Sequence, residues 1–131
     1  MIALDTNVLV RFLAKDDEPQ HLRAVARLSG GVDAGETFFI GDVVLAEVVW
    51  VLQTRYRLGR PAIADTVRAL LEAEHLVFQS ADRCLRALRR YAVGKGGFAD
   101  YLIAEQARDS GCKVVVTFDQ DLLVEADFSE P

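Results

Sequence analysis

Short apolar segments alternate along this chain with longer segments of helical pattern, and this alternation limits the possible folds most strongly. The predicted strands span residues 2–4, 37–40, 76–79 and 113–117, the last being a Val-rich run expected to be buried. The predicted helices span residues 6–14, 19–28, 43–56, 61–73, 80–94 and 98–110, with a turn expected at Gly30, Gly31 and Gly35. Strands that alternate with helices form βαβ units and a parallel sheet. The sequence therefore predicts a single three-layer α/β/α domain, with a short, mainly parallel sheet, over residues 1–131.

The composition is that of a globular protein and excludes several classes of function. Apolar residues make up 51% of the 131 residues and charged residues 27%. There is no apolar run of the roughly 18 residues that a membrane helix needs, and no signal-peptide pattern, so a cytoplasmic protein is expected. The net charge of −5 argues against a protein that coats nucleic acid through bulk charge. The His residues are isolated, as are Cys84 and Cys112, which argues against zinc and predicts two buried, reduced thiols.

Three acids stand where a strand ends or a helix begins. Asp5 follows the first predicted strand, and Asp119 follows the fourth, with Asp121 as an alternative two residues on. Asp100 lies in the first turn of the sixth helix, after the sequence GKGG. Acids in such places can simply cap a helix or stabilise its dipole. They can also form a site, because ligands bind at the carboxyl edge of a parallel sheet. Two polar residues after Asp5 can cap the first helix in its place, which leaves Asp5 available for a site.

Glu47 is the only charged residue in the segment VVLAEVVWVL. On a helix its neighbours three and four positions away are Val43, Val44, Trp50 and Val51. Because all four are apolar, this face is predicted to be turned into the interior. A carboxylate there is costly unless it is protonated, paired with an Arg or bound to a cation. Glu47 is therefore either a buried structural acid or a metal ligand.

Taken together, the acids favour a metal centre at the carboxyl edge of the sheet. Clustered carboxylates repel one another unless a cation neutralises them. Oxygen ligands without His or Cys suit Mg²⁺ or Mn²⁺ rather than zinc. The sequence therefore predicts that Asp5, Glu47, Asp100 and Asp119 hold Mg²⁺ or Mn²⁺, as one ion or two.

The motifs DTNVLVRFL, LAEVVWVL, ADYLIAEQA and VVTFDQDL follow one another along the chain. Together they resemble those of the PIN-domain family, and more narrowly those of the compact VapC-type toxins of bacterial toxin–antitoxin pairs. The resemblance implies a PIN-like fold with acids at Asp5, Glu47, Asp100 and Asp119, and supporting polar residues at Thr6, Asn7 and Thr117. It further implies a homodimeric endoribonuclease that uses Mg²⁺ or Mn²⁺, cleaves RNA and is inhibited by a small antitoxin protein.

Phosphodiester hydrolysis needs an activated water and stabilisation of charge on the phosphoryl oxygens, both of which divalent cations supply. In this hypothesis Asp5, Glu47 and Asp100 hold the cation, and Asp119 supports the cation or the nucleophilic water.

An acidic protein still has to attract RNA. Four arginines of the fifth predicted helix, Arg83, Arg86, Arg89 and Arg90, fall within one arc, and Lys95 follows in the next loop. This arc is either a solvated face or a phosphate-binding rim. On the second interpretation the predicted substrate contacts are Arg83, Arg86, Arg90 and Lys95. Arg11 and Lys15 are weaker candidates. Trp50 and Phe12 are expected in the core.

Other proteins can also place acids and Mg²⁺ at the end of a strand, and a non-catalytic interaction module would be favoured only if one of the three central acids were missing. A haloacid-dehalogenase-type phosphatase would need a DxD motif where this chain has Asp5, Thr6 and Asn7. A receiver-type domain would need a phosphoryl-accepting acid after a middle strand, for which Asp42 is the only candidate, and a Lys after the last strand, which is absent. A DNA-acting or structure-specific nuclease of the same fold is the nearest alternative, because the metal chemistry does not distinguish the sugars.

Overall fold

The computed structural model describes all 131 residues, which form six helices and five short strands in two compact units, Met1–Ala81 and Asp82–Pro131. The elements are β1 (Ile2–Ala3), α1 (Thr6–Leu13), α2 (Glu18–Asp33), β2 (Phe38–Ile40), α3 (Asp42–Thr54), α4 (Arg60–Glu72), β3 (Leu76–Phe78), α5 (Ala81–Val93), α6 (Phe98–Asp109), β4 (Val115–Val116) and β5 (Phe128–Ser129). Each paired strand runs parallel to its neighbour, which confirms the predicted α/β class. None of the helices combines the length and the apolar character needed to cross a membrane.

The first unit is organised by a three-stranded sheet in the order β1-β2-β3. Ala3 lies opposite Phe39, and Phe39 lies opposite Val77. The pairing continues one step beyond β1, because the Leu4 N–H donates to the Phe39 carbonyl at 3.0 Å. Parallel strands direct their carboxyl ends to the same edge of a sheet, so Asp5 and the start of α3 lie at one edge.

The core of the first unit is built from the apolar stripes of its helices and from the central strand. On α3 the buried residues are Leu45, Val48, Val49 and Leu52, which recur at helical spacing. Phe38 of β2 is fully buried. Burial of such a side chain contributes about 1.5–3 kcal/mol, so this stripe decides which way α3 faces.

The turn predicted at Gly30 and Gly31 is wrong, because α2 continues through both residues to Asp33. Gly31 is buried against the ring of Phe38, and a Cβ on Gly31 would collide with Phe38 Cζ. The chain reverses instead at Gly35, whose φ of 78° is a left-handed conformation that glycine adopts without strain. Gly31 thus serves close packing between α2 and β2.

The second unit contains a two-stranded parallel sheet of β4 and β5. The buried strand predicted over 113–117 is wrong in length and burial, since β4 has two residues and Val116 is 58% exposed. β5 was not predicted, because two residues carry no readable alternation. Neither cysteine forms a disulfide, but only Cys84 is buried, whereas Cys112 lies in the exposed segment after α6.

A network of ion pairs joins α5 to α6 and to the residues around β5. Arg90 donates to both carboxylate oxygens of Asp127, at 2.8 and 2.7 Å. Asp109 accepts from Arg83 at 3.0 Å and from Arg86 at 2.6 Å. Glu105 is only 2% exposed and lies 3.3 Å from Arg86 Nε. A carboxylate so deeply buried is tolerated because cations surround it.

This network predicts a loss of stability in acid. The hydrogen bonds from Arg90 hold the pKa of Asp127 below its ordinary value. The unfolded chain therefore binds the proton more readily, and stability should fall as the pH drops from about 5 to about 3. Asp127→Asn should lower Tm at neutral pH by roughly 3–5 °C, equivalent to about 1 kcal/mol. Its Tm should also fall less steeply than that of the parent as the pH drops below about 5.

Thermal unfolding followed by circular dichroism between pH 3 and pH 7 measures this effect. Asp33→Asn is the control, because Asp33 is exposed at the end of α2. A Tm that falls equally steeply with decreasing pH in the parent and in Asp127→Asn would contradict the role given to this ion pair.

Candidate functional site

Asp5 lies at the carboxyl end of β1 and is the N-cap of α1. Its Oδ1 accepts a hydrogen bond from the Val8 N–H at 3.0 Å. The expectation that Thr6 or Asn7 would cap this helix is therefore wrong, because Asp5 is the residue with extended backbone just before the first helical turn. The bond orients the carboxylate and leaves Oδ2 outside it.

Glu47 lies in the second turn of α3, and its surroundings differ from the prediction. Its side chain is exposed, as are Val43 (71%) and Trp50 (65%) on the same face. The buried stripe of α3 is the other apolar face, so the argument that Glu47 points into the interior is wrong. The expected burial of Trp50 is wrong for the same reason. Glu47 thus carries an accessible carboxylate on a helix that packs against α1.

Asp42, the candidate acceptor of a receiver-type domain, lies near the carboxyl end of the central strand. It is 7% exposed at the start of α3, where its N–H donates to Gln79 Oε1 at 3.0 Å. A signal in the sequence existed, namely an acid two residues after the strand FFI. Its burial suits stabilisation of the helix N-terminus rather than acceptance of a phosphoryl group.

Asp100 is the third residue of α6 and is oriented by the residue that precedes the helix. Its Oδ2 accepts from the Gly97 N–H at 2.9 Å, while the Asp100 N–H donates to the Gly97 carbonyl at 3.1 Å. The first of these bonds is the acid half of a capping box. Oδ1 of Asp100 stays outside both bonds.

The loop that delivers Gly97 is shaped around Tyr101, which is fully buried. The Tyr101 hydroxyl accepts from the Gly96 N–H at 3.0 Å. A Cβ on Gly94 would collide with that hydroxyl, and a Cβ on Gly96 would collide with Leu122 Cδ2. Gly94 and Gly96 of GKGG are therefore required by close packing around Tyr101. The Tyr101 hydroxyl holds the loop at Gly96, one residue before Gly97.

Asp119 lies in the turn that follows β4 and is ordered by two hydrogen bonds. Its N–H donates to Thr117 Oγ1 at 3.0 Å, and its Oδ1 accepts from the Asp121 N–H at 2.9 Å. Thr117 thus supports the acid, and the backbone of Asp121 orients Asp119. This arrangement favours Asp119 over Asp121 as the fourth acid.

A common pattern links three of the acids, Asp5, Asp100 and Asp119. Each uses one carboxylate oxygen to accept a backbone N–H and keeps the other outside that bond. A donor set made of carboxylate oxygens fits a hard divalent cation. The first unit provides Asp5 and Glu47, and the second provides Asp100 and Asp119. Their convergence on one ion stays a prediction.

The basic arc of α5 is engaged within the second unit. Arg83, Arg86 and Arg90 all pair with carboxylates of α6 or of the residues next to β5. Sequence reasoning missed Glu105, Asp109 and Asp127 as partners, because they lie 19 to 37 residues away along the chain. These arginines therefore bring little uncompensated charge to a substrate, and their predicted role in binding stays untested.

Comparison with known proteins agrees with the motifs. The family model described as PIN domain matches residues 2–128. A VapC ribonuclease of Aquifex aeolicus (strain VF5) is 30% identical over 120 residues, which cover 90% of this chain and 87% of that protein. With a fold of short parallel strands and helices, and with acids at the ends of its elements, this chain belongs to the PIN-domain family.

Proposed function

We propose that this protein is an endoribonuclease that acts as the toxin of a toxin–antitoxin pair and hydrolyses phosphodiester bonds in RNA. The observation that carries the proposal is the set of carboxylates oriented by backbone N–H groups, at the positions where the PIN-domain motifs have acids. The similarity to a VapC ribonuclease supports RNA as the substrate. Residues 1–131 act in this proposal as one catalytic domain.

In the proposed mechanism, Asp5, Glu47 and Asp100 would hold Mg²⁺ or Mn²⁺. A bound cation of this kind supplies an activated water and neutralises charge on the phosphoryl oxygens. Asp119, fixed by Thr117 and by the Asp121 N–H, holds the cation or accepts a hydrogen bond from the nucleophilic water. Thr6 and Asn7 follow Asp5 on α1 and provide polar groups beside it.

A receiver-type phosphotransfer domain is disfavoured by the burial of Asp42. A DNA-acting nuclease differs from the proposed RNase only in the sugar of its substrate, so the same assay separates the two. Arg83, Arg86, Arg90 and Lys95 remain predicted substrate contacts.

The first expected outcome concerns the metal and the acids. The protein should cleave single-stranded RNA in Mg²⁺ or Mn²⁺, leave single-stranded DNA intact and lose activity in EDTA. Asp5→Asn, Glu47→Gln and Asp100→Asn should each lower kcat/KM by roughly 100-fold or more, because each removes a charged ligand. Gel assays of both substrates at matched protein concentration measure these effects.

Glu72→Gln is the matched control for Glu47→Gln, since both are exposed helical glutamates. Circular dichroism verifies that each variant is folded. The carboxylate–metal mechanism would be contradicted by cleavage that persists after exhaustive chelation. It would also be contradicted if the Asp5, Glu47 and Asp100 variants were as active as the control.

The second expected outcome concerns Tyr101, which we assign as a positioning residue for Asp100. Tyr101→Phe keeps the ring and removes the acceptor for the Gly96 N–H. The loop should then no longer hold Gly97, and with it Asp100, in a fixed position. The Mn²⁺ concentration needed for half-maximal cleavage should rise about tenfold, as for other residues that orient metal ligands, with kcat at saturation little changed. Mn²⁺ binding measured by electron paramagnetic resonance should weaken in parallel.

Tyr91→Phe is the control, because Tyr91 is a buried tyrosine of α5 in the same unit. Both variants should lose some thermal stability, but only Tyr101→Phe should change Mn²⁺ binding. Equal Mn²⁺ affinities in the two variants would show that Tyr101 is only a packing residue.

The proposal includes two protein partners and a location. We propose a homodimer, supported by the exposed apolar side chains Val43 and Trp50 of α3, and a small antitoxin that binds and inhibits the enzyme. A cytoplasmic location agrees with the two free cysteines, which persist in reducing compartments.

Light scattering should give the mass of a dimer for the free protein at micromolar concentration. Co-expression with the small protein encoded next to it should yield a complex whose RNase activity is suppressed. A monomer would contradict the dimer alone. A neighbouring protein that neither binds nor inhibits would contradict the toxin assignment while leaving the nuclease intact.

A further inference from the structure

In the first unit, a cavity of about 550 Å³ lies between α1 and α2, and all the charged side chains that line it are basic. Three arginines line it, Arg11, Arg23 and Arg27, and no acid does. Its other polar groups are the amides of Asn7 and Gln20, and the rest of its wall is Val and Ala. A cavity in the second unit, by contrast, has both cations and the acids Glu105 and Asp127 in its lining.

The sequence of α2 explains why these groups share one wall. Gln20, Arg23 and Arg27 recur at intervals of three and four residues and therefore lie on one helical face. The face is held against α1 by the Arg11 Nε bond to Gln20 Oε1, at 2.7 Å, and by the contact of His21 Nδ1 with the Arg11 carbonyl, at 2.8 Å. The contacts that pack α1 against α2 therefore also fix the wall of the cavity.

The three arginines differ in how firmly they are held. Arg11 also donates to Asp16 at 3.2 Å, and the Tyr56 hydroxyl donates to Asp16 at 2.9 Å, which lowers the pKa of that carboxyl and keeps it ionised. Arg27 donates to Glu36 at 2.7 Å. Arg23 is exposed on the same face and takes part in none of these bonds. Two guanidinium groups are therefore preoriented, and the third can move to meet a ligand.

We propose that this cavity binds the backbone of the RNA substrate beside the phosphate that is cleaved. The inference rests on the proposed function and adds to it the surface that holds the strand. Asn7 lines the cavity and lies two residues from Asp5, so the cavity adjoins the carboxyl edge of β1. Guanidinium groups bind phosphate oxygens bidentately, and the amides and aliphatic wall suit a base edge and a ribose.

Position beside Asp5 together with charge supports this cavity over Arg83, Arg86 and Arg90 as the binding surface. On α5, Arg83, Arg86 and Arg90 are already paired with carboxylates of the second unit. In the cavity, Arg23 can neutralise a phosphate without giving up an ion pair. An acidic peptide would also meet three guanidinium groups there, and the binding experiment distinguishes the two ligands.

The test compares Arg23→Gln with Arg68→Gln, which removes one charge from an exposed helical position of α4 in the same unit. Binding of a fluorescent single-stranded RNA is measured by anisotropy in EDTA at several KCl concentrations, with gels to verify intact RNA. Arg23→Gln should weaken binding roughly tenfold, as expected for a charged hydrogen bond. The slope of log K against log salt should fall by about 0.7, as expected for one lost contact to a single strand.

A second pair of variants avoids removing any existing contact. Ala26→Glu places a carboxylate in the cavity wall and should weaken RNA binding at least as much as Arg23→Gln. Ala62→Glu places the same charge on the exposed surface of α4 and should have little effect. Circular dichroism verifies that all four variants keep the parental helix content.

The proposal would be overturned if Arg23→Gln and Ala26→Glu bound RNA as tightly as their controls do. Loss of binding to a poly-glutamate peptide, with RNA binding unchanged, would identify an acidic peptide as the ligand instead. Cleavage by the parent in Mn²⁺ is measured alongside. A parent that cleaves RNA while the variants bind normally would reject the cavity alone, whereas a parent that does not cleave RNA would reject the proposed function.

Discussion

Parallel pairing of β1 with β2 is the interaction on which the candidate site residues of the first unit depend. The register that places Ala3 opposite Phe39 brings the ends of both strands to one edge. Asp5 follows β1 at that edge, and α3 begins there after β2, so α1 and α3 start side by side and pack together. Local helix geometry then orients Asp5 through the Val8 N–H. A two-residue strand can have this effect because each parallel partner dictates the direction of the other.

Hydrogen bonds from backbone N–H groups are the second interaction that orders the candidate site, because they orient carboxylates without neutralising their charge. Asp5, Asp100 and Asp119 each accept one such bond and keep an oxygen outside it. A carboxylate held in this way loses less side-chain entropy when it binds a ligand. The glycine loop before α6 extends the same principle, since Tyr101 holds the loop and the loop holds Asp100.

The distribution of cations bears on how the proposed function, RNA binding by an acidic chain, could be achieved. Most arginines of α5 stabilise the second unit, where Glu105 and Asp127 balance them. The arginines of α1 and α2 line a cavity whose wall contains no acid, and of the three only Arg11 and Arg27 pair with carboxylates, which lie outside that wall. Long-range attraction of RNA to a protein of net charge −5 is weak, so a local surface has to supply the attraction.

The sequence by itself determined the class of fold, the order of the helices and the positions of the acids. Helical period and strand length are local properties, and α3, predicted over 43–56, spans Asp42–Thr54. Tertiary structure alone decided which face of α3 is buried, because a helix apolar on both sides offers no local signal. It also placed Gly31 inside α2 and paired Arg90 with Asp127, 37 residues away. Such pairings depend on how helices pack, and neither period nor spacing along the chain records that packing.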